Sequence, residues 1–158
     1  MAFEKAYQYL ETRGFADRVM TFTVSSATVD LAAVAVGTEP ARIAKSLTFL
    51  VDGAPVMILC AEDTKIANSK YKAFFHCKAK MMTREEVAAR IGHEVGGVCP
   101  FGIPQDVKVY LDTSLERFEF VYPACGNDAS AVRLTCAELE TLSGSLGWID
   151  VCDIRGAE

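Results

Sequence analysis

The chain has 158 residues, of which 51% are hydrophobic and 23% charged, and its formal net charge is −5. This length and apolar content favour one compact domain over residues 1–158 with a single core, and they leave no room for a second domain. No apolar run approaches the ~20 residues of a membrane helix, and the first segment is charged and amphipathic, so we expect a cytoplasmic protein without a secretory signal or membrane span.

Hydrophobic periodicity predicts the first elements. An apolar stripe at helical spacing ends at Gly14, and residues 18–24 then alternate like a strand. Ser25-Ser26 precedes an apolar segment, where a serine can cap the free N–H groups of a helix that ends at Gly37. A short helix with Thr38 as its cap and Pro40 in its first turn follows.

A β-hairpin is predicted next, because Asp52-Gly53 supplies the positive φ angles of a tight turn between two apolar runs. The elements predicted beyond it are a helix over 66–74, a strand over 78–82, a capping-box helix from Thr83 to about Ile91, strands over 107–112, 118–122 and 131–135, a second capping-box helix after Thr135, and a strand over 148–152. Helices and strands alternate without a strict βαβ order, which indicates an α+β fold with a mixed sheet.

Positive charge is concentrated in residues 64–84, TKIANSKYKAFFHCKAKMMTR. This segment holds six of the 16 basic residues and no acidic residue, although the whole chain is acidic. Charge alone leaves two interpretations open: a face that binds a polyanion, or a solvated surface that keeps a helix and a strand soluble.

Cysteine and histidine content offers few metal ligands or catalytic bases. The six cysteines show no CxxC spacing and several lie in apolar runs, so we expect mostly buried thiols, no metal site and no cofactor. Of the two histidines, His76 is expected at or near the surface, and His93 follows a helix end, where a cation favours the terminal carbonyls.

The stretch GGVCPFG (96–102) combines three glycines, a proline and a cysteine. Such a loop can bring successive main-chain N–H groups to an anion or a developing oxyanion, and a plain turn is the alternative. Pro100 biases Cys99 toward an extended, exposed conformation, but no neighbouring base or cation activates the thiol as a nucleophile. Lys45 lies where a short helix passes into a strand. It is interpreted either as a functional residue that reaches over the end of the sheet or as a positive charge that stabilises the C-terminal end of the helix.

Three motifs in this order and spacing resemble the YbaK/EbsC family: IAKSL (43–47), GGVCPFG (96–102) and YPACGNDASAVRL (122–134). The chain is similar, over roughly residues 20–152, to free-standing trans-editing aminoacyl-tRNA deacylases and to the editing domain inserted in bacterial prolyl-tRNA synthetases. The resemblance implies a compact α+β fold with a mixed barrel-like sheet surrounded by helices. It also implies hydrolysis of the ester that links a wrong amino acid to the 3′-terminal adenosine of tRNA.

The resemblance further implies roles for individual residues. Lys45 matches the invariant lysine of the family and would hold the phosphate or ribose of the acceptor end, while Gly96 and Gly97 would stabilise the oxyanion and a vicinal ribose hydroxyl would accept the proton. Substrate binding is assigned to Ser26, Thr28, Val98, Cys99, Pro100, Phe101, Gly102, Tyr122 and Gly126. In this assignment Pro100 stiffens the loop and Phe101 forms a wall of the pocket. tRNA docking is assigned to Lys70, Lys72, Lys78 and Lys80.

The chain departs from the family pattern at Ala124-Cys125-Gly126, where related enzymes have Ser-Gly-Gly, and at Ala131, where some have aspartate. The substrate therefore stays open among alanine, cysteine, serine, threonine and a non-protein amino acid, with a small amino acid on proline tRNA as the first expectation. Two other functions remain alternatives: a non-catalytic module of the same fold that binds an aminoacyl-adenosine-like ligand or a synthetase, and a thiol enzyme that uses Cys99.

Overall fold

The computed structural model of the protein describes residues 2–22, 37–93 and 96–155. Within these ranges the four α-helices are α1 Ala2–Glu11, α2 Asn68–Phe75, α3 Arg84–Arg90 and α4 Cys136–Ser143. The strands are β1 Val19–Thr21, β2 Ile43–Val51, β3 Ala54–Ala61, β4 Thr64–Ile66, β5 Lys108–Asp112, β6 Phe120–Pro123, β7 Ser130–Val132, β8 Leu134–Thr135, β9 Trp148–Ile149 and β10 Cys152–Ile154. Short 3-10 turns cover Ala16–Arg18, Pro40–Arg42 and Thr113–Arg117. None of the described helices has the length and apolar character needed to cross a membrane.

The central sheet has six strands in the order β8-β6-β2-β3-β5-β9 and curls into a half-barrel. It is mixed, because β2 and β3 are antiparallel whereas β2 with β6, β3 with β5 and β5 with β9 are parallel. Two antiparallel pairs, β1 with β7 and β4 with β10, complete the strand pairing of the described residues. The predicted α+β fold with a mixed, barrel-like sheet and surrounding helices is confirmed.

The β2–β3 hairpin follows from its turn residues. Asp52 and Gly53 have φ angles of 52° and 80°, the left-handed values that a two-residue hairpin turn requires. All eight cross-strand pairs, from Ala44 with Ala61 to Val51 with Ala54, are formed around this turn. Both predicted capping boxes are also confirmed, with Thr83 accepting from the Glu86 N–H at the start of α3 and Thr135 doing the same at the start of α4.

Side-chain alternation along β2 divides the interior into two parts. Ala44 and Leu50 face a first core that α1 and the 96–102 loop help to form. Leu47, Phe49 and Val51 face a second core, which includes Tyr71 and Phe75 of α2. The sheet thus separates the glycine-rich loop from the basic segment around α2.

Two predicted elements differ from the structure. The helix expected to begin with a Thr38 cap is the 3-10 turn Pro40–Arg42, whose N-terminal flanking residue is Glu39 without a side-chain cap. Residues 78–82 form a single bridge, Met81 with Phe49, instead of a strand. The helix predicted after Ser25-Ser26 lies outside the described residues.

Two predicted strands are each divided, because the chain changes partner along them. In the segment 131–135, Val132 pairs with β1 while Leu134 pairs with β6. In the segment 148–152, Ile149 pairs with β5 whereas Cys152 pairs with β4. Alternation shows that these segments are extended, but it does not show where one partner strand replaces another.

Candidate active site

The 96–102 loop is held against the turn that follows β6. An ideal Cβ on Gly97 would lie 2.5 Å from the N and Cα atoms of Asn127 and 2.5 Å from the carbonyl carbon of Gly126. Gly126 is itself pressed against helix α1, because a Cβ there would lie 2.5 Å from the Ala2 carbonyl oxygen. Only glycine fits at these two positions, so the predicted loop and the predicted turn form one packed unit.

This loop presents a run of main-chain donors. Gly97 is buried, Val98 half-buried and Gly96 exposed with a φ of 99°. Across residues 2–22, 37–93 and 96–155, no hydrogen-bond acceptor is found for the N–H groups of these three residues. Buried N–H groups are nearly always paired, so the N–H of buried Gly97, with an N–H donor on either side in the chain, suits an anion or oxyanion.

A cavity of about 570 Å³ opens beside Gly97. It lies between the start of α1, the residues after α3 and the Gly97–Gly126 contact, and its walls are Ala2, Phe3, Glu4, Ala88, Gly92, His93, Gly97, Gly126, Asn127 and Asp128. The sequence predicts an apolar stripe at helical spacing in this segment, and no motif indicates that the start of the helix borders a cavity.

Cys99 and Phe101 are fully buried in the first core. The expectation of an exposed thiol is therefore wrong, and burial raises the pKa of Cys99 to about 12. Phe101 packs against Tyr9 of α1, with ring centroids 6.2 Å apart, so its expected place in a pocket wall is also wrong. Pro100, between Cys99 and Phe101 in the chain, is also buried, and the three residues anchor the loop on the side that faces the first core. A thiol enzyme based on Cys99 has no support in this geometry.

His93 is also part of this packed region and is not the cation that its place after a helix end suggests. Its ring is buried, and its Nε2 lies 3.1 Å from the Phe101 carbonyl oxygen and 3.5 Å from the Cys99 sulfur. Burial lowers its pKa, so the neutral ring is favoured. His76, by contrast, is exposed, as expected from the sequence. It ends α2 in the left-handed conformation.

The altered turn at 124–126 keeps a defined structure. Ser130 Oγ accepts from the Cys125 N–H at 3.2 Å, and the Asn127 side chain accepts from the Ala129 N–H at 2.9 Å. Ala131, where some relatives have aspartate, is buried in β7 opposite Met20. A carboxylate at that position would have to be buried, whereas alanine fits.

Lys45 is the third residue of β2, so the alternative of a charge that favours a helix end does not hold. Its ammonium donates to the carbonyl oxygens of Thr64 at 2.5 Å and Glu62 at 3.4 Å. Its cross-strand partner is Cys60, whose pKa is lowered first by a hydrogen bond with the Cys152 thiol and further by the positive charge of Lys45. Two main-chain contacts thus fix the position of a charged lysine.

The sheet register relates Lys45 to the turn. Ala44 pairs with Pro123, the last residue of β6, and Ile43 pairs with Tyr122, which is half-buried. Lys45 therefore follows the last paired position and lies at the end of the sheet where the 124–128 turn begins. Its side chain lies on the face of the second core, whereas the buried part of the 96–102 loop packs in the first core.

Of the predicted tRNA-binding lysines, Lys70 differs from the others. Its ammonium lies 3.0 Å from carboxylates of both Asp150 and Asp153, and hydrogen bonds to them raise its pKa. The other three side chains, those of Lys72, Lys78 and Lys80, are exposed. Ser26 and Thr28, assigned to the substrate pocket, lie outside the described residues. Val98, Gly102 and Gly126 all belong to the loop and turn described above.

Comparison with protein families matches residues 23–142 to the aminoacyl-tRNA editing domain. The chain is 51% identical over 135 residues to the uncharacterized protein YwhH of Bacillus subtilis, covering 85% of this chain and 86% of that protein. It is 37% identical over 73 residues to proline–tRNA ligase of the same organism, covering 46% of this chain but 13% of the ligase.

Solved structures of similar fold include a candidate trans-editing enzyme for prolyl tRNA synthetase. That structure superposes with a TM-score of 0.87 and 30% identity, covering 96% of this chain and 97% of the other. The hypothetical protein APE2540 superposes with a TM-score of 0.84 at 23% identity, over 94% and 99% of the two chains, which shows a shared fold.

Proposed function

Because the chain belongs to the aminoacyl-tRNA editing domain family, we propose that it is a hydrolase that removes a wrongly attached amino acid from tRNA. The observation that carries this proposal is that the family match spans Lys45, the 96–102 loop and the 122–134 segment together. A domain that only docks on a partner does not require a fixed lysine together with a loop whose N–H groups find no acceptor among the described residues.

The reaction divides into three requirements. An aminoacyl ester is already activated, so the enzyme has to orient it, admit one water and stabilise the negative charge that develops on the carbonyl oxygen. The water oxygen bonds to the carbonyl carbon, the carbon–oxygen bond to the ribose breaks, and the ribose oxygen leaves with a proton. The vicinal ribose hydroxyl relays the proton from the water, so a protein base is not required.

The N–H groups of Gly96, Gly97 and Val98 suit the third of these tasks, stabilisation of the negative charge on the carbonyl oxygen. Their directions are fixed by the Gly97–Gly126 contact and by the buried Cys99, so little reorganisation accompanies the reaction. In this proposal Cys99, Pro100 and Phe101 support the loop and do not touch the substrate. Gly102, with a φ of 70° and a Cβ position 2.9 Å from the Lys5 carbonyl oxygen, anchors the other end of the loop to α1.

Lys45 suits recognition of the acceptor end. An ammonium has three donors, and two of them point to the carbonyls of Thr64 and Glu62. We assign the third donor to a phosphate or ribose oxygen of the terminal nucleotide, as a charge-assisted hydrogen bond. Tyr122, paired beside Ile43 at the same end of the sheet, is assigned to the ribose side of this site.

The substrate is proposed to be a small amino acid on proline tRNA, because several relatives are proline–tRNA ligases. Ser26 and Thr28 stay in the proposal as walls of the amino-acid pocket. A pocket of this kind excludes larger side chains sterically, but it discriminates weakly, by ~1–3 kcal/mol per methylene, against smaller ones. We assign docking of the acceptor stem to Lys72, Lys78 and Lys80, and we expect the activity in the cytoplasm with a synthetase as a second partner.

The test is hydrolysis of alanyl, cysteinyl, seryl and threonyl esters of proline tRNA by the wild-type protein. Each reaction is compared with spontaneous hydrolysis of the same ester and with correctly charged prolyl-tRNA. The proposal predicts that at least one mischarged ester is cleared well above the spontaneous rate while prolyl-tRNA is spared. If none is cleared, the deacylase assignment fails and a ligand-binding module of the same fold becomes the better explanation.

A further inference from the structure

Three aromatic rings form a cluster at the C-terminal end of α2. The Phe74 ring lies 4.8 Å from Phe75 and 5.4 Å from Tyr110, both in edge-to-face geometry, and Phe75 lies 5.5 Å from Tyr110. Phe75 and Tyr110 are half-buried against the second core, whereas Phe74 is 43% exposed. We name this cluster, Phe74, Phe75 and Tyr110, the aromatic platform.

A single exposed phenylalanine is ordinary on a protein surface, so the charges around it decide its interpretation. Lys72 is two positions from Phe74, about 200° around the helix, and with Lys78 it lines a cavity of about 480 Å³ on the other side of α2. Lys108 shares a face of β5 with Tyr110 because residues two apart on a strand point the same way. Lys108 therefore lies beside the platform, and Lys72 and Lys78 lie across α2 from it.

Two carboxylates that contact α2, those of Asp150 and Asp153, form ion pairs with the same lysine. Lys70, one helical turn before Phe74, holds both Asp150 and Asp153 at 3.0 Å. The basic segment 64–84 itself contains no acidic residue. Lys70 offsets one of these two negative charges, and a polyanion that lies across α2 otherwise meets the exposed lysines of the basic segment.

We propose that the aromatic platform stacks an unpaired base of the 3′ end of tRNA while Lys72, Lys78 and Lys108 contact the flanking phosphates. This inference rests on the proposed function for the identity of the nucleic acid. Exposed rings with lysines alongside match single-stranded nucleic acid, because bases stack on aromatic faces and the backbone follows positive charge. Paired bases inside a stem offer no face for such stacking, and an apolar protein segment has no use for the lysines.

The platform is tested with two dye-labelled RNA hairpins of identical stem, one with an unpaired 3′ end and one blunt. Fluorescence anisotropy gives the Kd of each hairpin for wild-type protein, Phe74→Ala, Phe74→Trp and a control. The control is Phe120→Ala. Phe120 on β6 is also an aromatic residue beside a cation, because the Arg133 guanidinium lies 4.0 Å from the centre of its ring. Two strands separate β6 from β5, so Phe120 is not part of the platform.

Wild type is expected to bind the unpaired 3′ end more tightly than the blunt hairpin. Phe74→Ala should weaken that binding by about five- to a hundredfold, the range for loss of one stacked base, and leave the blunt hairpin unchanged. Phe74→Trp and Phe120→Ala should keep the preference. Replacing Lys72 and Lys78 by alanine should weaken both hairpins and reduce the salt dependence.

Equal binding of the two hairpins by wild type, or equal weakening of both by Phe74→Ala, would overturn the platform. Because the probes carry no amino acid, this result is independent of hydrolysis. If no ester is hydrolysed but binding still prefers the unpaired end in a Phe74-dependent way, the deacylase assignment fails and the platform is supported. Active hydrolysis with no such preference would refute the platform alone.

Discussion

Gly97 and Asn127 touch so closely that a Cβ on the glycine would lie 2.5 Å from two backbone atoms of the asparagine. Real Cβ atoms do not approach backbone this closely, so a side chain at 97 must displace either the loop or the turn. This contact determines where the N–H groups of residues 96–98 point. It also explains why the loop and the turn, 30 residues apart in sequence, act as one unit.

Gly97→Ala is expected to lower the free energy of unfolding by about 1–3 kcal/mol, as overpacking does, and to reduce deacylation of the cleared ester. Urea unfolding and single-turnover hydrolysis measure the two effects.

Gly144→Ala is the matched control, because Gly144 ends α4 with a φ of 66° and has open space around it. That variant should lose ~1–2 kcal/mol and keep its activity. Wild-type activity in Gly97→Ala would show that the loop position is irrelevant to hydrolysis.

Cys99→Ser is expected to retain most of the activity per folded molecule, because the thiol is buried and supports the loop from behind. With its pKa raised to about 12, Cys99 should also resist alkylation by iodoacetamide at neutral pH. Mass spectrometry of the labelled native protein should find half-buried Cys77 modified first. Inactivation that proceeds in step with modification of Cys99 would restore the thiol-enzyme hypothesis.

His93 makes a specific contribution to the pH dependence of stability. Its pKa is lowered by burial in the folded state, so below about pH 6.5 the unfolded chain binds a proton that the folded chain does not. The free energy of unfolding should therefore fall as the pH drops from about 6.5 toward 4.5, before the carboxylates with lowered pKa values, such as Glu138, begin to contribute.

His93→Gln is expected to flatten the stability curve in that pH window, because glutamine does not titrate. His76→Gln is the control, since His76 is exposed at the end of α2, and it should keep the wild-type slope. Thermal unfolding at a series of pH values measures both variants. An unchanged slope in His93→Gln would mean that the neutral buried ring is not the source of the pH dependence.

The sequence predicts those features that depend on neighbouring residues. The Asp52-Gly53 turn and the capping boxes at Thr83 and Thr135 are local, so their residues identify them without knowledge of the fold. The family motifs, in turn, predict the mixed curled sheet, which the strand order confirms. Periodicity alone did not locate the points at 133 and 150–151 where an extended segment changes partner.

Features that depend on distant residues were not predictable. Cys99 is buried because α1, some 90 residues earlier, covers the loop, and Lys70 forms ion pairs with two aspartates 80 or more residues later. A flexible, exposed loop and a tightly packed one have the same glycine-rich composition. Sequence therefore indicated which residues form the candidate site, whereas the structure distinguishes those that face the cavity from those that support it.

The central claim is tested most directly by single-turnover hydrolysis of the cleared ester by wild type, Lys45→Ala and Lys65→Ala. Lys65 is the control because it is an exposed lysine on β4, adjacent to the Thr64 carbonyl that holds Lys45. We expect Lys45→Ala to be slower by ~10²–10³-fold, as for loss of a transition-state contact, and Lys65→Ala to match wild type. Lys45→Ala acting at the wild-type rate would contradict the proposed mechanism.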